Sequence, residues 1–416
     1  MRLSLIICFF ILSYSLFAEE SIWKDRIYDP KIKTIKCTQA GLDASLAITT
    51  LNTGVPIDLE FDDLGTDTRA LRYNLIPCNW DWTSASLNAY DCIDGFAENS
   101  INNYQRSFNT ETPYTHYTIS FPNEQCKFKK SGNYIIQIKD FDNGNVLLTK
   151  RLLVVDAQAA VVAQCIRPRN NSLLKTHQEI DFTVNAGGVN MANPMEDIKV
   201  VILQNQIWAN AIANIQPIYF NDNILKYNCD VDAVFPAGKE FRRIDIRTIR
   251  FAGMGVQRND NTTTPANVYI QTDPCRANMN YVFNKDYNGE FYIEKQETNN
   301  PATEADYVLA HFHYASEQLN DAKLFWCGQA SQYDLSKDFQ FTYNPATKGY
   351  DLDLFLKNGY YEYLIGTAGG DGRLDFATAE GNWYEAENEY TILVYYRSFS
   401  GRYDQLIGVN NFHSMR

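Results

Sequence analysis

The sequence is poor in cationic side chains and in histidine. Its 416 residues include 37 lysines and arginines against 50 acidic residues, with 5 histidines, which gives a formal net charge of −13. Because binding to phosphate groups requires a positively charged surface, this balance argues against nucleic acid as a partner and against anionic membrane surfaces. We expect no nucleic-acid partner.

Long apolar runs are also missing after the first 18 residues, since none approaches the ~18 residues that a membrane-spanning helix needs. The start of the chain is different. Arg2 is followed by the apolar stretch Leu3–Leu12 and, after a short interval, by Ala18, which suits a cleavage site. This pattern predicts a secretory signal peptide over residues 1–18, and thus an exported protein without a transmembrane segment of its own.

The common catalytic motifs are absent, because the sequence contains no G-x-S-x-G, no P-loop and no H-E-x-x-H. His311 and His313 share one face of a predicted strand, but their apolar neighbours favour a place in a sheet over a metal site. Acids between residues 371 and 389 could form a glycosidase pair, although solvated loop carboxylates are more common in an acidic chain. We therefore predict a protein that is not an enzyme and that binds no metal or cofactor.

The sequence has nine cysteines but no C-x-x-C pair. The eight cysteines after the predicted signal peptide are widely spaced, and an even number in an exported protein permits disulfides without fixing their connectivity. Among local pairings we expect Cys78 with Cys92, which would close a loop around Trp80 and Trp82. We expect both tryptophans to anchor a core rather than to stack on a ligand.

Aromatic residues, in contrast, are abundant at 14 %, with 27 Tyr and 24 Phe, and they suit pleated, half-buried strands. Short alternating segments separated by turn signals recur from Ile32 onward, without helical periodicity. The strongest hairpin signals are Asp142-Asn143-Gly144 and Asn358-Gly359. The pattern predicts an all-β protein of tandem immunoglobulin-like β-sandwich domains. The expected domains are an N-terminal sandwich over 19–156, a middle sandwich over 157–272 and a C-terminal sandwich over 273–416.

The segment Phe235–Phe251 combines a strand pattern with four arginines in an otherwise acidic chain. Its apolar residues change phase near Arg247, so we expect a β-bulge there. Two interpretations remain open: the arginines pair with neighbouring acids and brace a sheet, or they dock a partner through planar, bidentate donors. The four candidate partner-binding residues of this segment are Arg242, Arg243, Arg247 and Arg250.

A second candidate set flanks the last predicted strand, Tyr390–Arg397. Trp383 and Tyr384 precede this strand, and Arg402 and Tyr403 follow it. These residue types are enriched at interface hot spots. We expect the four residues to lie near one end of the third domain and to contribute to partner binding.

Several motifs occur together and in order along nearly the whole mature chain. They include L-E-F-D-D-L, C-N-W-D-W, S-G-N-Y, I-L-Q-N-Q-I-W-A-N-A-I, F-P-A-G-K-E-F-R-R-I-D-I-R-T-I-R, N-G-Y-Y-E-Y, G-N-W-Y-E-A-E-N-E-Y-T-I-L-V-Y-Y-R and G-R-Y-D-Q-L-I-G. In this combination the chain resembles the plug proteins of the type IX secretion system of Bacteroidota.

The resemblance implies a periplasmic protein associated with the inner face of the outer membrane. It implies that the protein binds the periplasmic opening of the outer-membrane translocon barrel of that system and occludes it, as a monomer within a hetero-complex and without a cofactor. The alternative is an exported carbohydrate-binding or adhesive protein built from the same β-sandwiches.

Overall fold

The computed structural model describes residues 24–228, 232–319, 322–370 and 372–414. The predicted signal peptide lies outside these residues, as does Cys229. Strands make up 46 % of the structure and helices 5 %, so the prediction of an all-β, multi-sandwich protein is confirmed. No helix in the described part of the chain is long and apolar enough to cross a membrane.

The N-terminal sandwich contains one single-turn helix, α1 (Ala89–Cys92), and twelve strands. The strands are β1 (Arg26–Ile27), β2 (Ile32–Gln39), β3 (Ile48–Thr50), β4 (Ile57–Leu64), β5 (Leu71–Cys78), β6 (Ile93–Gly95), β7 (Glu98–Ser100), β8 (Tyr104–Arg106), β9 (Tyr114–Phe121), β10 (Cys126–Phe128), β11 (Gly132–Asp140) and β12 (Val146–Val155). One sheet has the order β1-β12-β11-β5-β7, with β3 parallel to β12, and the facing sheet has the order β2-β4-β9-β8. Alternating residues such as Ile57, Leu59 and Phe61 fill the core between them. The hairpin predicted at Asp142-Asn143-Gly144 joins β11 and β12 and is confirmed.

The second sandwich begins with seven strands and the single-turn helix α2 (Pro194–Asp197). These strands are β13 (Ala160–Ile166), β14 (His177–Asn185), β15 (Ile198–Gln204), β16 (Ile212–Ala213), β17 (Tyr219–Asn221), β18 (Ile224–Tyr227) and β19 (Val234–Pro236). One sheet has the order β13-β14-β18-β17, with β19 also paired to β14. The other sheet begins with β16 and β15 and is completed later in the chain.

The third sandwich follows, with the single-turn helix α3 (Pro301–Glu304) and eleven strands. These are β20 (Arg242–Asp245), β21 (Val256–Asp260), β22 (Asn267–Ile270), β23 (Asp273–Pro274), β24 (Phe291–Ile293), β25 (Tyr307–Ala315), β26 (Leu324–Cys327), β27 (Thr342–Asn344), β28 (Gly349–Lys357), β29 (Gly359–Ala368) and β30 (Leu374–Asp375). Strand β29 pairs with β20, β24, β26 and β30, whereas the opposite sheet has the order β21-β22-β25-β28-β27.

The hairpin predicted at Asn358-Gly359 is wrong, because β28 and β29 belong to opposite sheets. The buried Asn358 side chain sits where the chain crosses between them, accepting from the Asp306 N–H at 3.0 Å and donating to the Ile246 carbonyl at 3.0 Å. Gly359 is needed for a close approach, since a Cβ there would lie 2.4 Å from the Tyr292 carbonyl oxygen. The Asn-Gly pair thus marks a sheet-to-sheet crossing.

The chain then returns to the second sandwich through β31 (Glu389–Tyr396) and β32 (Gln405–His413). Strand β31 pairs antiparallel with β15 over residues 390–396, which gives the sheet order β16-β15-β31-β32. This arrangement corrects the expected division at residues 272 and 273. The third sandwich is an insertion in the second, and β20 belongs to the third because it pairs with β29.

The first and second sandwiches are packed face to face. Ile135 and Leu153 from β11 and β12 lie against Leu393 and Tyr395 of β31 in one apolar cluster. Both tryptophans predicted to anchor a core belong to this cluster, with Trp82 only 6 % exposed. The result is a stack of four sheets.

Trp82 makes the most specific contact of this interface. Its ring meets Trp208 of the second sandwich edge-on at 5.0 Å between centroids. The Arg151 guanidinium lies 4.8 Å from the Trp82 ring and 5.1 Å from the Trp208 ring. A cation held between two aromatic faces stabilises the pair beyond the burial of apolar area.

The cysteine pairing expected from the sequence is not formed. Cys78 and Cys92 are both free and buried. Cys78 packs in the interface between the first two sandwiches, whereas Cys92 packs in the core of the first. The two side chains therefore face different apolar clusters.

The third sandwich is fixed to the first by a buried charge cluster. The Asp62 carboxylate accepts from Lys357 Nζ and from the Tyr307 hydroxyl, each at 2.7 Å, and lies 2.7 Å from His116 Nδ1. Burial alone would raise the pKa of Asp62, but Lys357 and His116 outweigh burial and lower it. The three sandwiches thus form one closed body instead of a linear string.

Replacement of Trp82 by Ala should destabilise the protein, because an aromatic-to-Ala change in a packed interior costs about 3–5 kcal/mol. Thermal unfolding followed by calorimetry measures the loss. Phe399→Ala is the matched control, since this ring is 96 % exposed and its removal should leave the melting curve nearly unchanged. Equal melting temperatures for the two variants would contradict an anchoring role for Trp82.

Candidate partner-binding site

Strand alternation separates the four arginines predicted to bind a partner. Arg242, Ile244 and Ile246 point into the third sandwich, whereas Arg243 and Arg247 point outward. The strand ends at Asp245, so irregular chain rather than the predicted bulge accommodates the change of phase. The two interpretations of this segment therefore apply to different residues.

Arg242 braces the sandwich interior and is removed from the partner-binding set, because it is only 7 % exposed. Its guanidinium donates to Glu380 at 2.9 and 3.1 Å, to Asp273 at 2.8 Å and to the Pro274 carbonyl at 2.8 Å. Arg276 donates to the same Glu380 at 2.5 Å. Burial raises the pKa of Glu380, but the two arginines outweigh burial and hold it below its ordinary value.

The outward-facing residues line a cleft that we call the arginine cleft, with a volume of about 660 Å³. Three cations and three tyrosines stand in it beside two carboxylates and one isoleucine. Its lining residues are Asp43, Arg243, Arg247, Lys285, Tyr287, Tyr292, Ile293, Glu294 and Tyr360.

The cations of the cleft differ in how firmly they are held. Arg247 donates to Asp245 at 2.7 and 3.0 Å and to Glu294 at 3.0 Å. These two carboxylates fix its position and neutralise its charge. Arg243 donates through Nη1 to the Lys285 carbonyl at 3.0 Å. The Lys285 side chain is exposed at the rim. Arg243 and Lys285 are thus the cations best placed to meet an acidic partner.

The tyrosines form an open aromatic wall. Tyr287 meets Tyr292 edge-on at 5.2 Å between centroids and Tyr360 at 6.2 Å, and Tyr287 itself is 51 % exposed. Burial raises the pKa of Tyr292 and of Tyr360, with nearby carboxylates adding to the effect, so both hydroxyls stay protonated, and that of Tyr360 donates to Glu362 at 2.9 Å. An exposed tyrosine wall beside arginine is a composition typical of interface hot spots.

Buried carboxylates hold one wall of the cleft in place. Residues 281–290 have no regular secondary structure. Glu362 accepts the backbone N–H groups of Tyr287 and Gly289 at 2.7 and 3.2 Å. Asp286 accepts the Phe241 N–H at 2.6 Å, and Tyr281 donates to Glu240. Hydrogen bonds to these side chains therefore hold the segment in place, as strand pairing holds other parts of the sandwich.

These carboxylates titrate at unusually high pH. Burial raises the pKa of Glu240 and of Glu362 to about 7 and that of Asp286 to about 6. Burial also raises the pKa of Glu290 to about 8. Glu290 lines a small cavity of about 40 Å³ where all three sandwiches meet.

The residues flanking β31 are not brought together as expected. Trp383 and Tyr384 lie half-buried where the third sandwich returns to the second, with Lys239 and Arg167 over their rings at 5.5 and 4.7 Å. Arg402 and Tyr403 lie beyond the other end of β31. Eight residues of strand separate the two pairs, or about 26 Å.

Three further residues from the sequence predictions lie outside the cleft. Arg250 is exposed and lies 3.3 Å from Glu297. His311 contacts Asp353 and Asn267, each at 2.7 Å, and His313 contacts Asp351 at 2.6 Å. Both histidines take places in the polar face of a sheet. No group of three or more potential metal-ligating side chains occurs in the part of the chain that the structure describes.

Sequence reasoning missed the aromatic half of the cleft. Lys285 and Tyr287 come from N-K-D-Y-N-G, and Tyr360 comes from N-G-Y-Y-E-Y. Tyr360 and Glu362 lie two residues apart and therefore on the same face of a strand, and this spacing was a usable signal. The pairing of that strand with the arginine strand was not visible in the sequence.

Comparison with known proteins identifies the class to which the fold belongs. Residues 32–156 match the family model of the type 9 secretion system plug protein 1st domain. The crystal structure of a hypothetical protein from Parabacteroides merdae ATCC 43184 superposes with a TM-score of 0.91 at 31 % identity, covering 94 % of this chain and 99 % of that chain. The first sandwich is thus a domain of the kind found in plug proteins of the type 9 secretion system. The chain belongs to the plug protein family of that system, as its motifs predicted, and the family implies a periplasmic location.

Other comparisons add nothing to this identification. The C-terminal domains of antigen I/II-family proteins from Streptococcus pyogenes and Streptococcus agalactiae align at 9 % identity, with TM-scores of 0.19 and 0.14. They cover 92 % and 91 % of this chain and 99 % and 96 % of their own, but such TM-scores support no statement about shared structure. No curated protein matches the chain.

The division of the arginines predicts unequal effects on stability. Arg242→Met should cost about 3–5 kcal/mol, because it leaves buried carboxylates without their main partner. Arg243→Met should cost within about 0.5 kcal/mol, as is usual for surface positions. Urea unfolding measures both, and similar losses for the two variants would contradict the assignment of Arg242 to the interior.

Glu290 predicts a pH-dependent stability. The folded state raises the pKa of Glu290 and so favours its neutral carboxyl. The resulting contribution to the free energy of unfolding is fully present below the unfolded pKa of ~4.3 and is lost as the pH rises through about 8. Glu290→Gln should therefore be more stable than the parent protein by about 1–3 kcal/mol near pH 9 and equal to it near pH 4. Melting temperatures across this range, with the exposed Glu317→Gln as control, provide the measurement. A Glu290→Gln difference that does not vary with pH would exclude this role.

Proposed function

We propose that the protein binds the periplasmic opening of the outer-membrane translocon barrel of the type IX secretion system and occludes it. Membership of the plug family supports this function. The observation that carries it is the closure of three sandwiches into one body through buried contacts. A body that blocks a wide opening has to resist deformation, and this one does so without catalysis.

The junction between the second and third sandwiches supports the same conclusion. Asn210 and Leu374 exchange two hydrogen bonds, from the Asn210 amide to the Leu374 carbonyl at 3.0 Å and from the Leu374 N–H back at 2.9 Å. Ile207 packs with Phe325 and Leu374 in an apolar cluster of its own. Each pair of sandwiches is therefore joined by buried contacts, which limits hinge motion between them.

The arginine cleft is the proposed docking surface for the barrel. Its outward-facing cations, the half-buried Arg243 and the exposed Lys285, and its tyrosine wall favour a partner segment that carries carboxylates and an aromatic or flat apolar group. Most of the surface has the opposite sign, since the chain carries a net charge of −13. A local excess of cations in such a protein orients the partner as well as binding it.

Occlusion needs only that the complex is stable and that it covers the opening. A specific interface of about 1,600 Å² is enough for a stable complex, and a few well-placed residues supply most of its affinity. Release for transport then requires only dissociation or displacement. We propose that the protein acts at the inner face of the outer membrane as one subunit of this hetero-complex.

Affinity purification from detergent-solubilised outer membranes tests the binding step. The parent protein should retain a large outer-membrane barrel. The double variant Arg243→Glu with Lys285→Glu should reduce its recovery at least about tenfold, because two attractive contacts become repulsive. Arg250→Glu is the matched control, since its side chain is 74 % exposed and lies outside the cleft.

Conductance of the purified barrel in planar bilayers tests the occlusion step. Addition of the parent protein from the periplasmic side should lower the conductance, and the double variant should not. Failure of the parent protein to retain the barrel would overturn the proposal. Retention of the barrel without a fall in conductance would leave a binding function but exclude occlusion.

A further inference from the structure

A second exposed surface lies at the far end of β31 from the arginine cleft. Loops from the first and second sandwiches meet there, and we call this surface the basic tip. It consists of three cations and three aromatic residues. Its members are Tyr90, Lys129, Lys130, Phe399, Arg402 and Tyr403.

The contacts of these residues place them side by side. Lys129 Nζ donates to the Tyr90 carbonyl at 2.5 Å. Lys130 Nζ lies 4.9 Å from the centre of the Tyr403 ring. Phe399 and Arg402 belong to the same loop as Tyr403, between β31 and β32. One continuous surface therefore joins three segments that are separate in sequence.

The aromatic rings of the tip are held out into solvent. Phe399 is 96 % exposed and Tyr90 is 63 % exposed. Exposing a whole phenyl ring forfeits the hydrophobic gain that burying it would give. The fold gains nothing from such a ring at a loop tip, whereas a surface that buries the ring on contact recovers that gain.

We propose that the basic tip binds the surface of a bilayer that contains anionic phospholipids. Aromatic rings settle at the level of the headgroups, and lysine and arginine around them pair with anionic headgroups. The tip combines both features on α1, which carries Tyr90, and on two loops, residues 129–131 and 397–404. This inference goes beyond the proposed function, and it uses residues separate from the arginine cleft.

The charge of the rest of the protein strengthens the argument. With a net charge of −13, most of the surface is repelled by an anionic bilayer. The acid nearest to Tyr90 is Asp91, whose carboxylate accepts the Asn88 N–H at 3.3 Å. Only an end with a local excess of cations can approach the bilayer, so the same charges that permit contact also fix the orientation.

Vesicle flotation tests the proposal. The full-length mature protein is mixed with vesicles of phosphatidylethanolamine and phosphatidylglycerol, or of phosphatidylcholine alone. Flotation is expected with the first and not with the second, and added salt should weaken it because the charges are exposed. The triple variant Lys129→Glu, Lys130→Glu, Phe399→Ser should bind at least about tenfold less, since each cation near an anionic surface contributes about fivefold.

Matched controls separate this proposal from the docking of the barrel. Phe251→Ser removes another exposed phenyl ring, and Lys226→Glu reverses another exposed cation, and both should float like the parent protein. The arginine-cleft variant should also float, although it loses the barrel. All variants change surface residues, of which Lys130 and Arg243 are half-buried and the others exposed, and they should keep their melting temperatures.

The proposal is overturned if the parent protein does not float with anionic vesicles. It is also overturned if a folded triple variant floats as well as the parent protein. Loss of the barrel by the triple variant in detergent extracts, together with no flotation of the parent protein, would make the tip a protein contact instead.

Discussion

Strand β31 is buried on both faces, and the arrangement of the molecule depends on that double burial. Ile392 and Val394 point into the core of the second sandwich, whereas Leu393 and Tyr395 point into the interface with the first. A strand that is apolar on both parities has to be covered on both sides. Because the chain returns from the third sandwich through β31, this strand completes the second sandwich and packs against the first. It also fixes both ends of the inserted third sandwich. The result is one closed body rather than three beads.

Much of the secondary structure was predictable because it depends on local pattern. The Asp142-Asn143-Gly144 turn lies between two segments that pair with each other, so the local signal and the tertiary outcome agree. Asn358-Gly359 carries an equally strong signal but forms a crossing between sheets, since its Asn amide bonds to Asp306 and Ile246 from distant segments. The pairing of β31 with β15 is separated by almost 200 positions, and no local pattern encodes such a partner.

The arginine segment shows the same limit at the level of single residues. Alternation along β20 could have told Arg242 from Arg243, because a regular strand places neighbours on opposite faces. The sequence does not indicate which face meets Glu380 and which meets solvent, since Glu380 arrives from a loop more than a hundred residues later. The tyrosine wall was hidden for the same reason. The residue types of a candidate site built from several strands can be predicted from the sequence. Which particular residues belong to that site depends on how the strands pair.

Net charge is the property that the sequence states most clearly, and it is also the property that the fold redistributes most. A net charge of −13 excludes anionic partners only if the charge is spread evenly over the surface. The fold collects cations at two places, the arginine cleft and the basic tip, which lie toward opposite ends of β31. The two surfaces have no residue in common, so each acts as an independent surface. A rigid body is what allows two such surfaces to keep a fixed relation, and the double burial of β31 provides that rigidity.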